Sequence, residues 1–405
     1  MRVSLIVLSV LFSYTLLSQD VVSTKFGKGL YNVVSKDSSW SMKFGMRIQS
    51  LYVGEWDIND ATGIGQGSSN FMIRRSRLKF GGHAFSPKLK YKIELGLSNK
   101  DLGKVDSRGN FAPRMILDAV VKWNFYKNFT LWAGQTKLPG NRERVVSSAN
   151  LQFVDRSLLN SKFNIDRDMG VQLRSHFTIG KQFLVREMFS IAQGEGRNLV
   201  QDNLGGFQYT SRIEILPMGA FASKGDYVCG ATKREEKPKL AIGVTYDYND
   251  RAVKDRSNQG SYMSYDTNDD GTIDGYFMSN ISTVFADLMF KYRGFSVMAE
   301  YALRDADKVD HEETNDDGTV STASVAVGSS LNVQAGYNFK KNWEVAGRFT
   351  QVSLTGKDKY EQYTLGLSKY VVGHKLKVQS DVSYRRKDNS PDSGLMYRLQ
   401  FELHF

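Results

Sequence analysis

The feature that most limits what this chain can become is a two-residue alternation that runs to its last atom. In the closing stretch SGLMYRLQFELHF, Leu395, Tyr397, Leu399, Phe401, Leu403 and Phe405 take the odd places, and Arg398, Gln400, Glu402 and His404 take even ones. Period two means a strand with one apolar and one polar face. A terminus tends to fray in water, so a strand that stays apolar to its final residue predicts an apolar surrounding outside the fold. The alternation recurs at Leu89, Tyr91, Ile93, Leu95 and Leu97, and at Leu240, Ile242, Val244, Tyr246 and Tyr248. It returns at Leu331, Val333, Ala335, Tyr337 and Phe339. From Trp40 onward the pattern predicts about sixteen strands, the first near 40–53, 71–85, 88–98 and 114–126 and the last near 375–386 and 394–405.

The connections sort into two kinds. Short ones fall at 86–88, 126–128, 293–294, 340–342 and 373–375, and long ones at 54–70, 99–113, 137–166, 250–276 and 304–326. One long connection, 216–237, falls on the side of the short turns. Tight turns on one rim and long loops on the other are the pattern of an outer-membrane barrel. In hydrocarbon every backbone N–H and C=O must be bonded within the protein, so a spanning sheet has to close. The expected fold is all-β: a transmembrane antiparallel β-barrel of about 16 strands with short periplasmic turns and long extracellular loops. Strands this long count against a soluble sandwich.

The N-terminus supports export. Arg2 precedes an apolar run from Val3 to Leu17, followed by Ser18 and polar Gln19 and Asp20. This predicts a signal peptide over 1–18, a short periplasmic segment over 19–39 and the barrel over 40–405. Cys229 is the single cysteine, which excludes an internal disulfide and a cysteine-based zinc site. The net charge is +11. Such a balance attracts anions, whether small solutes, lipid or nucleic acid, and export disfavours nucleic acid.

Cations collect on the polar faces. Arg75, Arg77 and Lys79 share one face of the second strand, Lys90 and Lys92 lie on the third, and Arg174, Arg212, Lys375, Lys377 and Arg385 follow. If the turn at Ser86-Pro87 is tight, Lys79 falls opposite Glu94, Lys92 opposite Gly81 and Lys90 opposite His83. Arg74 falls on the lipid face with Leu78 and Phe80, near enough to the strand start to reach lipid phosphates. The loop at 137–166 carries Lys137, Arg142, Arg144, Arg156 and Lys162 against Glu143, Asp155 and Asp166. Cations lining a narrow pore replace part of an anion's hydration and raise its local concentration. The candidate anion path is Arg75, Arg77, Lys79, Lys90, Lys92, Arg142, Arg144, Arg156, Lys162 and Arg174.

Three blocks resemble the phosphate-selective porin O and P family. They are FMIRRSRLKFGGHAFSPKLKYKIELGLS (71–98), AGQTKLPGNRERVVSSANLQFVDRSLLNSKFNIDRDMGVQLR (133–174) and KPKLAIGVTYDYN (237–249). The second is the most specific, and the terminal phenylalanine resembles the outer-membrane assembly signal. The resemblance implies a sixteen-stranded barrel, usually trimeric, in the outer membrane of a Gram-negative bacterium. It implies surrounding lipid and lipopolysaccharide and diffusion of small anions, phosphate among them. It also implies that the loop at 137–166 folds inward and narrows the channel. The family's ladder of arginines does not map residue by residue onto this chain.

In DTNDDGTIDGY, Asp266, Asn268, Asp270, Gly271 and Asp274 match the first part of a calcium loop. The position of the closing glutamate holds Phe277, and an acidic surface turn uses the same residues. Calcium would be structural in the outer loops, and no cofactor is required. His83, His176, His311, His374 and His404 show no paired spacing, and neither a G-x-S-x-G elbow nor an H-E-x-x-H helix is present. These residues predict a channel rather than an enzyme. A general or sugar-conducting porin, and a non-conducting barrel serving as adhesin or scaffold, fit the same alternation.

Overall fold

The computed structural model describes residues 20–21, 25–59, 63–103, 114–199, 202–388 and 392–405. The signal peptide expected over 1–18 lies outside these residues. Sixteen antiparallel strands form the wall. They are β1 (Trp40–Asn59), β2 (Gly63–Ala84), β3 (Ser86–Gly96), β4 (Ile116–Tyr126), β5 (Phe129–Lys137), β6 (Arg167–Ile179), β7 (Phe183–Ala192) and β8 (Gln208–Leu216). Then follow β9 (Lys239–Ala252), β10 (Ser279–Tyr292), β11 (Phe295–Ala306), β12 (Gly328–Asn338), β13 (Trp343–Leu354), β14 (Tyr360–Tyr370), β15 (Leu376–Lys387) and β16 (Asp392–His404). Each pairs with its sequence neighbours, and β16 pairs with β1 from Asp392↔Asn59 to His404↔Arg47, which closes the sheet.

Closure puts the two faces in different solvents. On β16, Phe401 is 55% exposed on the outside while Arg398, Gln400 and Glu402 are buried within. Outward-facing Val121, Trp123, Leu173, Ile213, Val244, Leu365 and Val382 continue an exposed apolar belt suited to lipid. The tight turn after β2 sets the register read from the sequence: Lys79↔Glu94, Gly81↔Lys92 and His83↔Lys90.

The N-terminal segment extends this seam. Where β16 stops, Tyr31–Val34 takes over the same edge of β1, pairing Tyr31↔Phe44 and Val34↔Ser41. The Phe405 N–H bonds the Met46 carbonyl at 3.0 Å. The Phe405 ring meets Phe26 edge-on at 5.6 Å, so the terminal aromatic is partly covered by the chain's own start.

Three features differ from the sequence expectation. First, β1 and β2 run 20 and 22 residues, so most of the loop expected at 54–70 is paired strand. Its outer part needs no apolar face because it stands exposed beyond the rim. Second, a bulge lies between Gln49/Ser50 on β1, where Gln49 pairs Arg75 and Ser50 pairs Ile73. The extra residue is Arg74, and side-chain parity changes there. Third, the lumen is not an open tube. The loop 138–166 enters from the long-loop rim, and the connection 217–238 turns back into the barrel from the opposite rim. They meet where the Cys229 N–H bonds the Asn150 carbonyl at 2.8 Å. Val146 and Leu151 pack there with Leu216, Phe221, Met289 and Met298. The lumenal faces of β8 to β13 are thereby covered, and the open space is left along β16 and β1 to β6.

Candidate functional site

The inward loop is built from short turns that expose its backbone groups to the wall. Asn141 precedes the helical turn Arg142–Val145, and Ser157 caps Leu158–Phe163, accepting the Asn160 N–H. Leu159, Phe163 and Ile165 pack on Phe285, Ala302 and Val352. Polar ties complete the seat. The Glu143 N–H bonds Glu300 at 2.6 Å, the Gln152 amide bonds Glu344 at 3.0 Å, and the Val154 N–H bonds Asp381 at 3.0 Å. Two glycines on the lumenal faces make room. A Cβ at Gly243 would lie 2.3 Å from the Arg212 guanidinium, and one at Gly336 would lie 2.3 Å from the Gln152 amide.

Arg142 belongs to this seat and not to the channel. It is fully buried, bonded to Asp287 at 2.6 Å, with Glu214 at 3.6 Å. Asp287 and Glu214 also hold buried Arg212. Burial opposes the Arg142 charge, but Asp287 and Glu214 outweigh it and raise its pKa. Arg156 likewise bonds the carbonyls of Glu143 and Val146, and burial pushes it down to about 10, which keeps it charged at neutral pH. Arg144 pairs with Asp166 inside the loop. Lys162 is exposed in the last turn of the second helical segment, and its carbonyl accepts a bond from Arg304.

The wall residues have a different setting. Three spaces follow one another along the open side. The outer vestibule, about 520 Å³, lies between β16, β1, β2 and the loop, and includes Arg74, Lys100, Asp155 and Arg398. Next is a chamber of about 300 Å³ where the loop, through Val145, Ser147 and Ser148, faces β2 to β6. Its charged lining is Arg77, Lys79, Lys92, Lys122, Lys137, Arg167 and Arg174 against Glu94 and Asp118. The third space, at the tight-turn rim, is lined in part by Lys43, His83, Lys90 and again Lys122.

The chamber's carboxylates are shared among several cations. Glu94 lies 2.9 Å from Lys92, 3.1 Å from Arg77 and 3.6 Å from Lys79, and Asp118 lies 2.9 Å from Lys92 and 3.1 Å from Arg167. Asp101 takes the other side of Arg77 at 2.5 Å. Lys122 and Arg174 instead lie over the Trp132 ring, at 3.6 and 3.8 Å from its centroid. Two cations on one indole place positive charge at the lumen without a carboxylate to cancel it.

Of the cations expected to line the path, Arg77, Lys79, Lys92 and Arg174 line the chamber and Lys90 the exit. Arg75 lines none of the three spaces: it is buried behind the wall surface, bonded to Gln49 at 2.6 Å and to Asp155 at 3.3 Å. The chamber also holds Lys122, Arg167 and Trp132, which the sequence reading does not name, and Lys137, which it names among the loop cations but not in the path. Lys122 shares even parity with Asp118 on β4 and was legible; Lys137 and Arg167 sit at loop junctions, where alternation ends.

Arg74 corrects an expectation. It does not reach lipid: the bulge turns it inward, where it bonds Asp155 at 2.7 Å. Asp155 thereby ties the loop to β2. Burial opposes its ionisation, but Arg74 and Arg75 prevail and hold it well below the usual carboxylate range. A lowered pKa means that the tie is present above the ordinary Asp value and is lost as pH falls through the folded one. Single-channel conductance is therefore expected to stay level from neutral pH to below about 3.9. Asp155→Asn should reproduce the acid change at neutral pH, and a step in wild-type conductance near pH 5 would contradict this.

The calcium-like residues sit at an outer loop tip. Asp274 accepts from the Thr267 N–H at 2.7 Å, Asp266 from the Gly271 N–H at 2.8 Å and Asp270 from the Thr272 N–H at 2.7 Å. These carboxylates brace their own turn. Among the described residues, no group of three or more His, Cys, Asp or Glu is arranged to hold a metal.

A closed antiparallel barrel with an apolar exterior, a polar lumen and an inward loop that narrows it defines an outer-membrane porin, a channel protein. The chain belongs to the phosphate-selective porin O and P family, which matches residues 43–405. Solved structures share the fold. The outer membrane channel DcaP of Acinetobacter baumannii has a TM-score of 0.52 at 13% identity, covering 92% of this chain and 99% of its own. An anion-selective porin from Comamonas acidovorans has a TM-score of 0.51 at 12% identity, covering 90% and 100%. OmpT of Vibrio cholerae in its trimer form has a TM-score of 0.50 at 11% identity, covering 90% and 99%.

Proposed function

We propose that this porin conducts small anions, phosphate among them, by passive diffusion along the cation-lined wall of β2 to β6. The observation that carries the reading is the chamber's lining of seven cations against two carboxylates at the narrowed part of the lumen. The charges are spread over several side chains rather than gathered in one pocket, which suits serial weak binding and release. The working assembly in this reading is a homotrimer, set in the lipid and lipopolysaccharide of a Gram-negative outer membrane. The trimer form of a porin of the same fold supports that part.

Zero-current potentials in a KCl gradient across planar bilayers test it. The expected result is a chloride-biased potential, with phosphate reducing the chloride current. A potential near zero would favour a general or sugar-conducting channel, and absence of conductance would favour a scaffold or adhesin.

A further inference from the structure

The vestibule lining carries apolar side chains that an inorganic anion does not use. The bulge brings Met72 to the lumenal side of β2, while Leu51 and Val53 continue the lumenal face of Arg47 and Gln49 on β1 and Met396 that of Arg398 on β16; all four line the vestibule beside Arg74 and Arg398. The pairing interleaves them with polar groups: Leu51 stands opposite Met72, and Val53 between Asn70 and Arg398. Leu51 is nearly closed off, whereas Val53, Met72 and Met396 keep part of their surface open. The next space repeats the combination, with Trp132 between Lys122 and Arg174 and with Val145 of the loop nearby. An apolar strip in a water-filled lumen offers a hydrated inorganic ion nothing, since its own shell is polar. A solute with a hydrocarbon or aromatic body can cover that strip while its anionic group meets the adjacent guanidinium.

We propose that the preferred solutes of this channel are small organic anions, a carboxylate or phosphate carried on an apolar body, which lay that body on the Val53, Met72 and Met396 strip on their way to the chamber. The proposal rests on the anion reading above and narrows it to a substrate class.

The test compares benzoate, acetate and inorganic phosphate as blockers of chloride current through the full-length channel in planar bilayers at neutral pH, where both carboxylates are ionised. Covering even a methylene or two of apolar surface corresponds to about fivefold in affinity, so benzoate should block at about fivefold lower concentration than acetate or phosphate. In a V53N/M72Q/M396Q variant that advantage should fall to about twofold or less, with the zero-current potential unchanged. If that variant does not fold, M72Q and M396Q singly should each lower the benzoate advantage. An anion-selective channel on which benzoate and acetate block alike would overturn this proposal alone, as would a folded variant that keeps the advantage. A channel without anion preference in the gradient would overturn the anion reading first, and this one with it.

Discussion

Replacing Lys122 and Arg174 together by glutamate is expected to remove most of the channel's anion preference. Both cations rest on Trp132, so their charge reaches the lumen with little cancellation. The substitution turns a lining of seven cations and two carboxylates into one of five and four. A unit charge about 7 Å from the path in water is worth about 0.6 kcal/mol. A four-unit change is thus worth about 2 kcal/mol, which salt roughly halves, or roughly fivefold to tenfold against an anion and as much in favour of a cation, so the anion-to-cation permeability ratio should fall by roughly 25-fold to 100-fold. The zero-current potential in a KCl gradient measures this directly, and Lys122→Gln with Arg174→Gln should move it about half as far. An unchanged potential would place the selective step elsewhere in the lumen. Arg167 is the wrong residue for such a test, since it is buried against Asp118 and its loss would disturb the wall itself.

That contrast between wall cations and seat cations marks the limit of what alternation can reveal. Lys79 opposite Glu94 was readable because one tight turn sets the register and period two does the rest. Arg74 was misread because FMIRRSRLKF looks like a single uninterrupted period, while the bulge that inserts a residue there is set by the pairing with β1. Arg142 resembled a channel cation because its partners Asp287 and Glu214 lie far along the chain. An ion pair between such distant positions has no local signature. The inward course of 217–238 was hidden for a similar reason, since an irregular connection has no period to read. Gly336 on a polar face is a hint only of the other inward loop, since a Cβ there would lie 2.3 Å from the Gln152 amide of 138–166.

The largest structural effect should come from Asp287→Ala. Asp287 accepts from Arg142 at 2.6 Å and from Arg212 at 2.7 and 3.0 Å, all three side chains being shielded from water. Removing one partner of a buried ion pair costs about 3–5 kcal/mol, because the stranded charge keeps its desolvation penalty. Here two guanidinium groups would compete for Glu214, and Arg142 is the weaker competitor, at 3.6 Å against 2.8 Å for Arg212. The loop should therefore lift first at Arg142, while the strand ladder of β9, β10 and β11 is untouched. The anchors at Glu300 and Asp381 remain, so the segment loosens without leaving the barrel. The expected record is a noisy channel of roughly doubled conductance and weakened anion preference, in a protein that still migrates as a folded barrel in unheated detergent gels. Conductance equal to wild type would mean that the apolar seat of Leu159, Phe163 and Ile165 holds the loop alone, and that the buried arginines serve the wall and not the constriction.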